Sequence, residues 1–329
     1  MHSLLLILAA LPLTSFALVI NDFRYELEAS ANENGTTSNM YWLQDTYEGA
    51  SFFDEWDFFS GPDPTHGNVA YQTKENSQDL AYVDGDGSAV LRVDNKSSVP
   101  PGGQRRSVRI SSKASYNGGL FIGDFSEFAY GPSVWPAFWA VGPSWPQGGE
   151  VDIIEHVNND QSNQITLHTG SEAVCKIGPG ANFDGNVLGN DCRSGAGSNN
   201  GCGIKAFDGS AGSPFNAGGG GVVVTLWDET ELSFWMFARD KIPQDILDGS
   251  PDPGSWGTPI ASWTNQSCDI QNAFRDMQLV INITICGDWA GAAYDSGGFP
   301  GTCADAVADP SNYDNALIRV NSILVYQKC

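Results

Sequence analysis

Basic residues are scarce in this chain. Lys and Arg together number 16 against 39 Asp and Glu, so the 329 residues have a formal net charge of −23 at pH 7. A surface with this excess of negative charge repels phosphate groups instead of releasing their counterions. The composition therefore excludes a nucleic-acid-binding protein held by bulk electrostatics, and it disfavours binding to anionic membranes.

Long hydrophobic runs and fixed-period repeats are also missing. The apolar run within residues 1–17 is too short to span a bilayer. It ends in Ser15-Phe16-Ala17, a small-x-small pattern that suits signal peptidase. We therefore predict a signal peptide at 1–17 followed by a single domain at 18–329, with a buried N-terminal strand as the alternative for the first residues.

Sequons for N-glycosylation support export. The four Asn-X-Ser/Thr sequons begin at Asn34, Asn95, Asn265 and Asn282. Together with the leader, they predict a secreted protein that is extracellular or located in the cell wall.

Cysteine is absent from the first half of the chain. The seven cysteines are Cys175, Cys192, Cys202, Cys268, Cys286, Cys303 and Cys329. Their clustering fits local disulfides in an oxidising compartment, whereas their spacing matches no zinc-binding pattern. The odd number leaves one thiol over, and spacing alone does not fix the pairing.

Glycine, proline and aromatic residues are plentiful. The chain has 38 Gly, 17 Pro and 10 Trp, and 41% of its residues are hydrophobic. Short segments rich in β-branched and aromatic residues predict strands at 89–93, 107–110, 221–227, 232–237 and 279–284. We predict loops at 194–203 and 211–221 and a short helix at 269–276. The fold class expected from this pattern is all-β, with two packed antiparallel sheets.

The candidate chemistry lies in the segment EVDIIE at residues 150–155. On a regular strand Glu150 and Asp152 share one face, and strict alternation would bury Glu155 in the core. A β-bulge between Asp152 and Glu155 removes this conflict, because one extra residue returns Glu155 to the acidic face. The segment therefore predicts a bulged strand with three acids in a row.

A row of like charges raises at least one pKa and so places a proton donor beside a carboxylate. Glycosidic bond cleavage needs this pairing, because one carboxylate attacks the anomeric carbon while a carboxylic acid protonates the leaving oxygen. Two other interpretations remain open at this point, a solvated acidic strand and a calcium site built from the same oxygens.

Tryptophans cluster in the sequence around this row. Trp135, Trp139 and Trp145 precede it, and Trp289 follows much later. Flat aromatic rings pack against the apolar C–H faces of sugars, which favours a binding role for Trp145 and Trp289. The alternative is that most of the tryptophans belong to the core.

The acidic segment resembles the E-x-D-x-x-E signature of glycoside hydrolase family 16, and in particular of the fungal laminarinases. Further similarity covers nearly the whole mature chain, in the segments DPTHG at 63–67, SVRI at 107–110, WPAFW at 135–139, TLHTG at 166–170 and CGDWAG at 286–291.

This resemblance implies a jelly-roll sandwich with a concave glucan-binding cleft and a retaining endo-β-1,3(4)-glucanase activity. It implies that Glu150 is the nucleophile, that Glu155 is the general acid/base and that Asp152 tunes the nucleophile. It also implies that sugar units are bound by Trp139, Trp145, Trp289, His168 and Arg109. Without the resemblance, His168 would be read as a structural histidine and Arg109 as part of a surface ion pair.

The expected partner is a β-1,3/1,4-glucan, and we predict a monomer. No metal or organic cofactor is expected, because acid/base cleavage needs none. Two alternative functions are a transglycosylase of the same fold and a glucan-binding protein without turnover. The binding protein is disfavoured because both glutamates are present.

Overall fold

The computed structural model describes residues 41–195 and 199–329. Within these residues, strands form two large antiparallel sheets and one parallel two-stranded pair. This confirms the predicted all-β fold of two antiparallel sheets. The expected leader at residues 1–17 and the sequon at Asn34 lie outside the described residues.

The first large sheet, sheet A, runs in the order β16-β15-β14-β8-β18-β5-β4, with β1 also paired to β18. Its strands are β1 (Tyr41–Glu48), β4 (Ala81–Val83), β5 (Ala89–Arg92), β8 (Gly119–Glu127), β14 (Gly221–Trp227), β15 (Glu231–Ala238), β16 (Ala261–Thr264) and β18 (Leu317–Lys328).

The second large sheet, sheet B, runs in the order β12-β13-β11-β10-β9-β17-β7-β2. Its strands are β2 (Trp56–Phe58), β7 (Arg109–Ser112), β9 (Val134–Val141), β10 (Glu150–Glu155), β11 (Gln164–His168), β12 (Asn186–Val187), β13 (Cys202–Lys205) and β17 (Gln278–Ile285). The parallel pair is β3 (Val69–Tyr71) with β6 (Arg105–Ser107).

Helices are short throughout the described residues. The α-helices are α1 (Gly212–Ala217), α2 (Gln244–Leu247), α3 (Ile270–Ala273) and α4 (Cys303–Ala306). The 3₁₀ helices are Gly49–Glu55, Arg239–Lys241, Pro253–Ser255, Asp295–Gly297 and Pro310–Tyr313, and one π-helical turn spans Gly287–Gly291. No helix in this part of the chain has the length and apolar character needed to cross a membrane.

The main core lies between the two large sheets, and a second apolar cluster covers the other face of sheet A. In β14, Val223 and Trp227 belong to the main core, whereas Val222, Val224 and Leu226 belong to the second cluster. Because both faces of this strand are covered, its sequence is a continuous apolar run instead of an alternating one.

Most predicted elements are found, with two corrections. The expected strand at 107–110 is two strands, β6 ending at Ser107 and β7 beginning at Arg109, because the chain changes partner from β3 to β17 at this point. The expected loops at 194–203 and 211–221 contain the start of β13 and all of α1. The short helix expected at 269–276 is confirmed as α3.

Six cysteines form three disulfides. The pairs are Cys175–Cys268, Cys192–Cys202 and Cys286–Cys303, and Cys329 is free and exposed. The Cys286–Cys303 bond joins the end of β17 to α4 directly before the π-helical turn. The bonds that span 10 and 17 residues are the local cross-links that the clustered cysteines predicted, whereas Cys175–Cys268 spans 93 residues and is not local.

Candidate active site

The acidic strand β10 contains the predicted bulge. Asp152 pairs with Trp139 of β9, but the next pair joins Ile154 to Phe138, so Ile153 is the extra residue. Val151, Ile153 and Ile154 are buried in the core, whereas Glu150 and Glu155 are each partly exposed. The bulge therefore returns Glu155 to the face that carries Glu150 and Asp152.

Cross-strand pairing places other side chains beside the acids. Glu155 lies opposite Ala137 of β9, and Ala137 in turn lies opposite Asn282 of β17, which pairs with Arg109 of β7. We call the exposed face that carries these residues the acidic face of sheet B.

Burial raises the pKa of all three acids. Burial and then the nearby Asp152 carboxylate raise the pKa of Glu150 to about 8, and burial raises the pKa of Asp152 to about 7. Burial, followed by the charges of Asp152 and Glu150, also holds the pKa of Glu155 well above its usual value. The site therefore retains protons at a pH at which ordinary carboxyl groups are ionised, as expected for the row.

Glu150 and Asp152 share a hydrogen bond between their carboxyl groups. Such a bond requires one proton for the pair, since two carboxylates have only acceptor atoms. This hydrogen bond raises the pKa of Glu150 and lowers that of Asp152, so the shared proton favours Glu150. When the proton moves to Asp152, Glu150 is a carboxylate that accepts a hydrogen bond.

Glu155 has an aromatic partner. The indole Nε1–H of Trp135 donates to Oε1 of Glu155 over 2.8 Å, and this bond favours the ionised form of the carboxyl group. The edge of Trp289, on the π-helical turn, packs against Trp135 with ring centroids 5.7 Å apart. Trp289, which the sequence predicted as a sugar-binding residue, is thus placed next to Glu155 through Trp135.

His168 lies on β11 beside the other end of the row. Its Nε2 is 3.3 Å from Oδ2 of Asp152, and its Nδ1 is 2.8 Å from Oγ of Ser194. Gly201 packs against the ring, since a Cβ there would come within 2.8 Å of it, and the backbone has φ +58°. His168 is therefore held in one orientation against Asp152.

Arg109 lies at the other edge of the acidic face. Its guanidinium stacks between two aromatic rings, 5.1 Å from the centroid of Phe59 and 5.0 Å from that of Trp139. The indole N–H of Trp139 donates to Oδ1 of Asn282 over 2.7 Å. The half-buried Arg109 is therefore ordered by stacking rather than by the surface ion pair that was its alternative interpretation.

Trp145 precedes β10 and is 42% exposed. Its indole donates a hydrogen bond to Glu150 that lowers the pKa of this carboxyl group. The two tryptophans that contact the glutamates thus stand at opposite ends of β10, Trp145 at Glu150 and Trp135 at Glu155.

One group of side chains has a spacing compatible with a metal ion. In the described part of the chain, ligand atoms of Glu150, Asp152 and His168 lie within 4.8 Å of one another. The same proximity follows from the Glu150–Asp152 hydrogen bond and the contact of Asp152 with His168.

Some functional positions were not found from the sequence. Trp135 and Ser194 were not expected to contact site residues. Trp135 could have been identified, because it lies four residues before Trp139 on β9 and so points to the same face of the sheet.

Asn282 was expected to be a glycosylation acceptor, but its side chain is 7% exposed and accepts the Trp139 hydrogen bond. There is no room for a glycan at this position, so that expectation is corrected. Asn265 is exposed and Asn95 partly so.

Comparison with known families identifies the domain. Residues 56–326 match the family model described as "XgeA-like, catalytic GH16 domain". A probable glycosidase of Schizosaccharomyces pombe is 39% identical over 300 residues, which cover 88% of this chain and 70% of that protein. The endo-1,3(4)-β-glucanase xgeA of Emericella nidulans is 38% identical over 88% of this chain, and the matched region is only 48% of that protein.

Solved structures are similar at the level of the fold. Laminarinase 16A from Phanerochaete chrysosporium, described with 6-O-glucosyl-laminaritriose in its donor and acceptor sites, is 37% identical with a TM-score of 0.82. An elongating family 16 β-1,3-glucosyltransferase is 36% identical, also with a TM-score of 0.82. The matches cover 88% and 87% of this chain and the whole of each neighbour. The chain belongs to glycoside hydrolase family 16, in the XgeA-like group, and has the jelly-roll fold of the laminarinases.

Proposed function

We propose that this protein is a retaining endo-β-1,3(4)-glucanase. The observation that carries the proposal is the bulged strand β10, which brings Glu150, Asp152 and Glu155 to one face, with raised pKa values. Relatives described as endo-1,3(4)-β-glucanases and the laminarinase neighbour support the substrate class.

In the first step, Glu150 is the nucleophile. An oxygen of its carboxylate forms a bond to the anomeric carbon while the glycosidic C–O bond breaks. Glu155 gives its proton to the departing sugar oxygen, which its raised pKa makes available near neutral pH. For this attack the proton shared by the two groups must move from Glu150 to Asp152, which then donates a hydrogen bond to the attacking carboxylate.

In the second step, water completes the hydrolysis. Glu155, now a carboxylate, takes a proton from the water as the water oxygen attacks the anomeric carbon. The ester bond to Glu150 breaks and the carboxylate is restored. The anomeric configuration of the product is the same as that of the substrate, because the two displacements each invert it.

The aromatic residues of the acidic face suit a neutral chain of sugar rings. Trp145 is exposed beside Glu150, and Trp289 stands beyond Glu155. Arg109 and Trp139 form a stacked pair along the same face and would contact further sugar units. A glucan lying across β10 would meet these side chains on both sides of the scissile bond.

Transglycosylation is the second candidate, and one observation favours it. A solved structure with 36% identity is described as an elongating β-1,3-glucosyltransferase. The same acids serve this reaction, since a sugar hydroxyl replaces water in the second step. Longer products than the donor glucan would identify it.

The proposal is tested by incubating the protein with laminarin, lichenan and carboxymethyl cellulose and resolving the products by chain length. We expect short oligosaccharides from laminarin and lichenan and none from the Glu150→Gln variant. Glucan binding by this variant should stay near normal. Loss of binding with hydrolysis intact would contradict the assignment of Glu150.

We also propose that the chain is exported after removal of residues 1–17 and works as a monomer outside the cell or in the wall. The disulfides, which form in oxidising compartments, support export. Mass spectrometry of the secreted protein tests the cleavage after Ala17 and the occupancy of Asn34, Asn95 and Asn265, and its elution volume on gel filtration tests the oligomeric state.

A further inference from the structure

The bulge in β10 interrupts the ladder between β10 and its neighbour β11. These strands pair at Glu150 with His168, at Val151 with Leu167 and at Asp152 with Thr166, and the pairing ends there. Beyond Asp152 the backbone of β10 no longer faces strand partners in β11. Buried backbone groups without a partner are costly, so something else must satisfy them.

The side chain of Asn163, directly before β11, supplies these partners. The backbone N–H of Glu155 donates to Oδ1 of Asn163 over 2.7 Å, and Nδ2 of Asn163 donates to the carbonyl oxygen of Ile153 over 2.8 Å. The asparagine amide has the same donor and acceptor pair as a peptide group. It therefore replaces the missing strand at the bulge, with one bond to the extra residue Ile153 and one to Glu155.

Asn163 is itself rigidly placed. Its side chain is 0% exposed, its backbone N–H donates to Oγ of Ser210 over 2.8 Å, and its carbonyl accepts from the N–H of Ala206 over 2.9 Å. Because the residue is closed off from solvent, water cannot substitute for the two amide hydrogen bonds in the native structure.

We propose that Asn163 is a positioning residue for catalysis, which stabilises the bulge at Ile153 and so fixes the carboxyl group of Glu155 in the acidic row. This inference rests on the proposed function, in which Glu155 is the general acid/base. Asn163 does not face the substrate, and it acts through the backbone of Glu155.

The consequence of removing the amide follows from strand geometry. Without it, the bulge loses the two hydrogen bonds that replace β11 beside it, and a one-residue slip turns a side chain to the opposite face of a sheet. Even a smaller displacement matters, since a shift of about 1 Å in a catalytic group costs about 10²-fold in rate.

The test compares Asn163→Ala and Asn163→Asp with a matched control, Asn216→Ala. Asn216 makes the same kind of paired hydrogen bonds to a backbone. Its amide accepts from the N–H of Phe128 over 2.9 Å and donates to the carbonyl oxygen of Phe128 over 3.1 Å. For Asn163→Ala on laminarin we expect kcat to fall about 10²-fold with KM within about twofold, whereas the control keeps its kcat. Asn163→Asp is isosteric and retains the acceptor for Glu155, so it decides the matter if the alanine variant does not fold.

Leaving-group dependence separates positioning of Glu155 from general damage. From a 2,4-dinitrophenyl β-glycoside the leaving group departs as 2,4-dinitrophenolate without a proton, so the first step no longer needs Glu155. Azide then attacks the glycosyl-enzyme without a general base, forming a bond to the anomeric carbon and releasing Glu150. We expect azide to accelerate both Asn163 variants on this substrate and not the wild type or the control. Equal loss on both substrates without azide rescue would overturn the inference.

A readout without turnover keeps the two proposals distinguishable. The indole N–H of Trp135 donates to Glu155, so its NMR resonance, assigned with Trp135→Phe, reports where that carboxyl group lies. We expect this resonance to move in both Asn163 variants and to stay in place in Asn216→Ala. An unchanged resonance would overturn the inference, whereas a wild type that cleaves no β-glucan would overturn the proposed function alone.

Discussion

The acid/base residue is controlled at the residue scale by two opposing influences. Burial and the charges of Asp152 and Glu150 raise the pKa of Glu155, whereas the hydrogen bond from Trp135 lowers it. The protonated form is needed to release the leaving group and the ionised form to activate water. Glu155 can serve both steps only if its pKa is high enough to keep the proton in the first step and low enough to lose it afterwards. Burial and the Trp135 hydrogen bond together set this balance.

Trp135→Phe tests this balance. The variant loses the indole donor that stabilises the carboxylate, so the pKa of Glu155 rises further. Glu155 then stays protonated to higher pH, and the alkaline limb of kcat/KM moves upward, by about one pH unit for a bond worth about 1.4 kcal/mol.

The measurement is a pH profile of kcat/KM on laminarin for the variant and the wild type. Trp139→Phe is the control, because Trp139 donates to Asn282 and not to Glu155. An alkaline limb that stays in place or moves downward in Trp135→Phe would contradict the account.

Residue identities and the bulge were predictable from the sequence, because three acids at 150, 152 and 155 cannot share a face of a regular strand. The partners of those acids were less predictable. Trp135 reaches Glu155 through the bulged pairing of β9 with β10, and Ser194 reaches His168 from a loop after β11. No local sequence pattern fixes either contact. Asn282 was misread because a sequon is a local motif, whereas burial depends on the whole sheet.

Individual elements differ in how strongly their sequences specify them. β14 is mostly apolar, and the bounds predicted for it, 221–227, are those of the structure. The segment 107–110 was read as one strand because it is short and rich in β-branched residues, but partner exchange splits it at Val108. The break depends on tertiary contacts, since Ser107 donates its hydroxyl to the carbonyl of Ile283 in β17.

The π-helical turn that carries Trp289 is fixed by the Cys286–Cys303 disulfide, which closes 17 residues. Replacing both cysteines by alanine should lower the free energy of unfolding by about 3 kcal/mol through loop-closure entropy. It should also raise KM for laminarin, because the turn that holds Trp289 becomes less ordered.

The matched control is the double alanine variant of Cys175 and Cys268. The disulfide between these cysteines closes a loop of 93 residues that does not include this turn. It should lose at least as much stability in chemical denaturation while KM stays unchanged. Equal KM values for the two double variants would contradict the role assigned to the turn.

At the scale of the whole molecule, the net charge of −23 must be compatible with the substrate. A neutral glucan is neither attracted nor repelled by this field, whereas an anionic polysaccharide is repelled. We therefore expect KM for laminarin to change less than about twofold between low salt and 0.5 M salt, at which the Debye length is only a few ångströms. A strong salt dependence with this neutral substrate would show that charge contributes to its binding.

The overall architecture was predictable because composition, strand patterning and family motifs all point to a two-sheet sandwich. The disulfide pairing was not predictable, because six cysteines that pair fully allow 15 connectivities. Only the folded chain brings Cys175 next to Cys268 across 93 residues.

The most direct test of the central claim is to trap the covalent intermediate. A 2-deoxy-2-fluoro laminaribiosyl fluoride slows the second step, and peptide mass spectrometry then locates the bound sugar. We predict one glycosyl group on Glu150 in the wild type, none in Glu150→Gln, and a first product with retained β configuration by NMR. A label on another residue, or an unlabelled enzyme that releases the α anomer, would contradict the account.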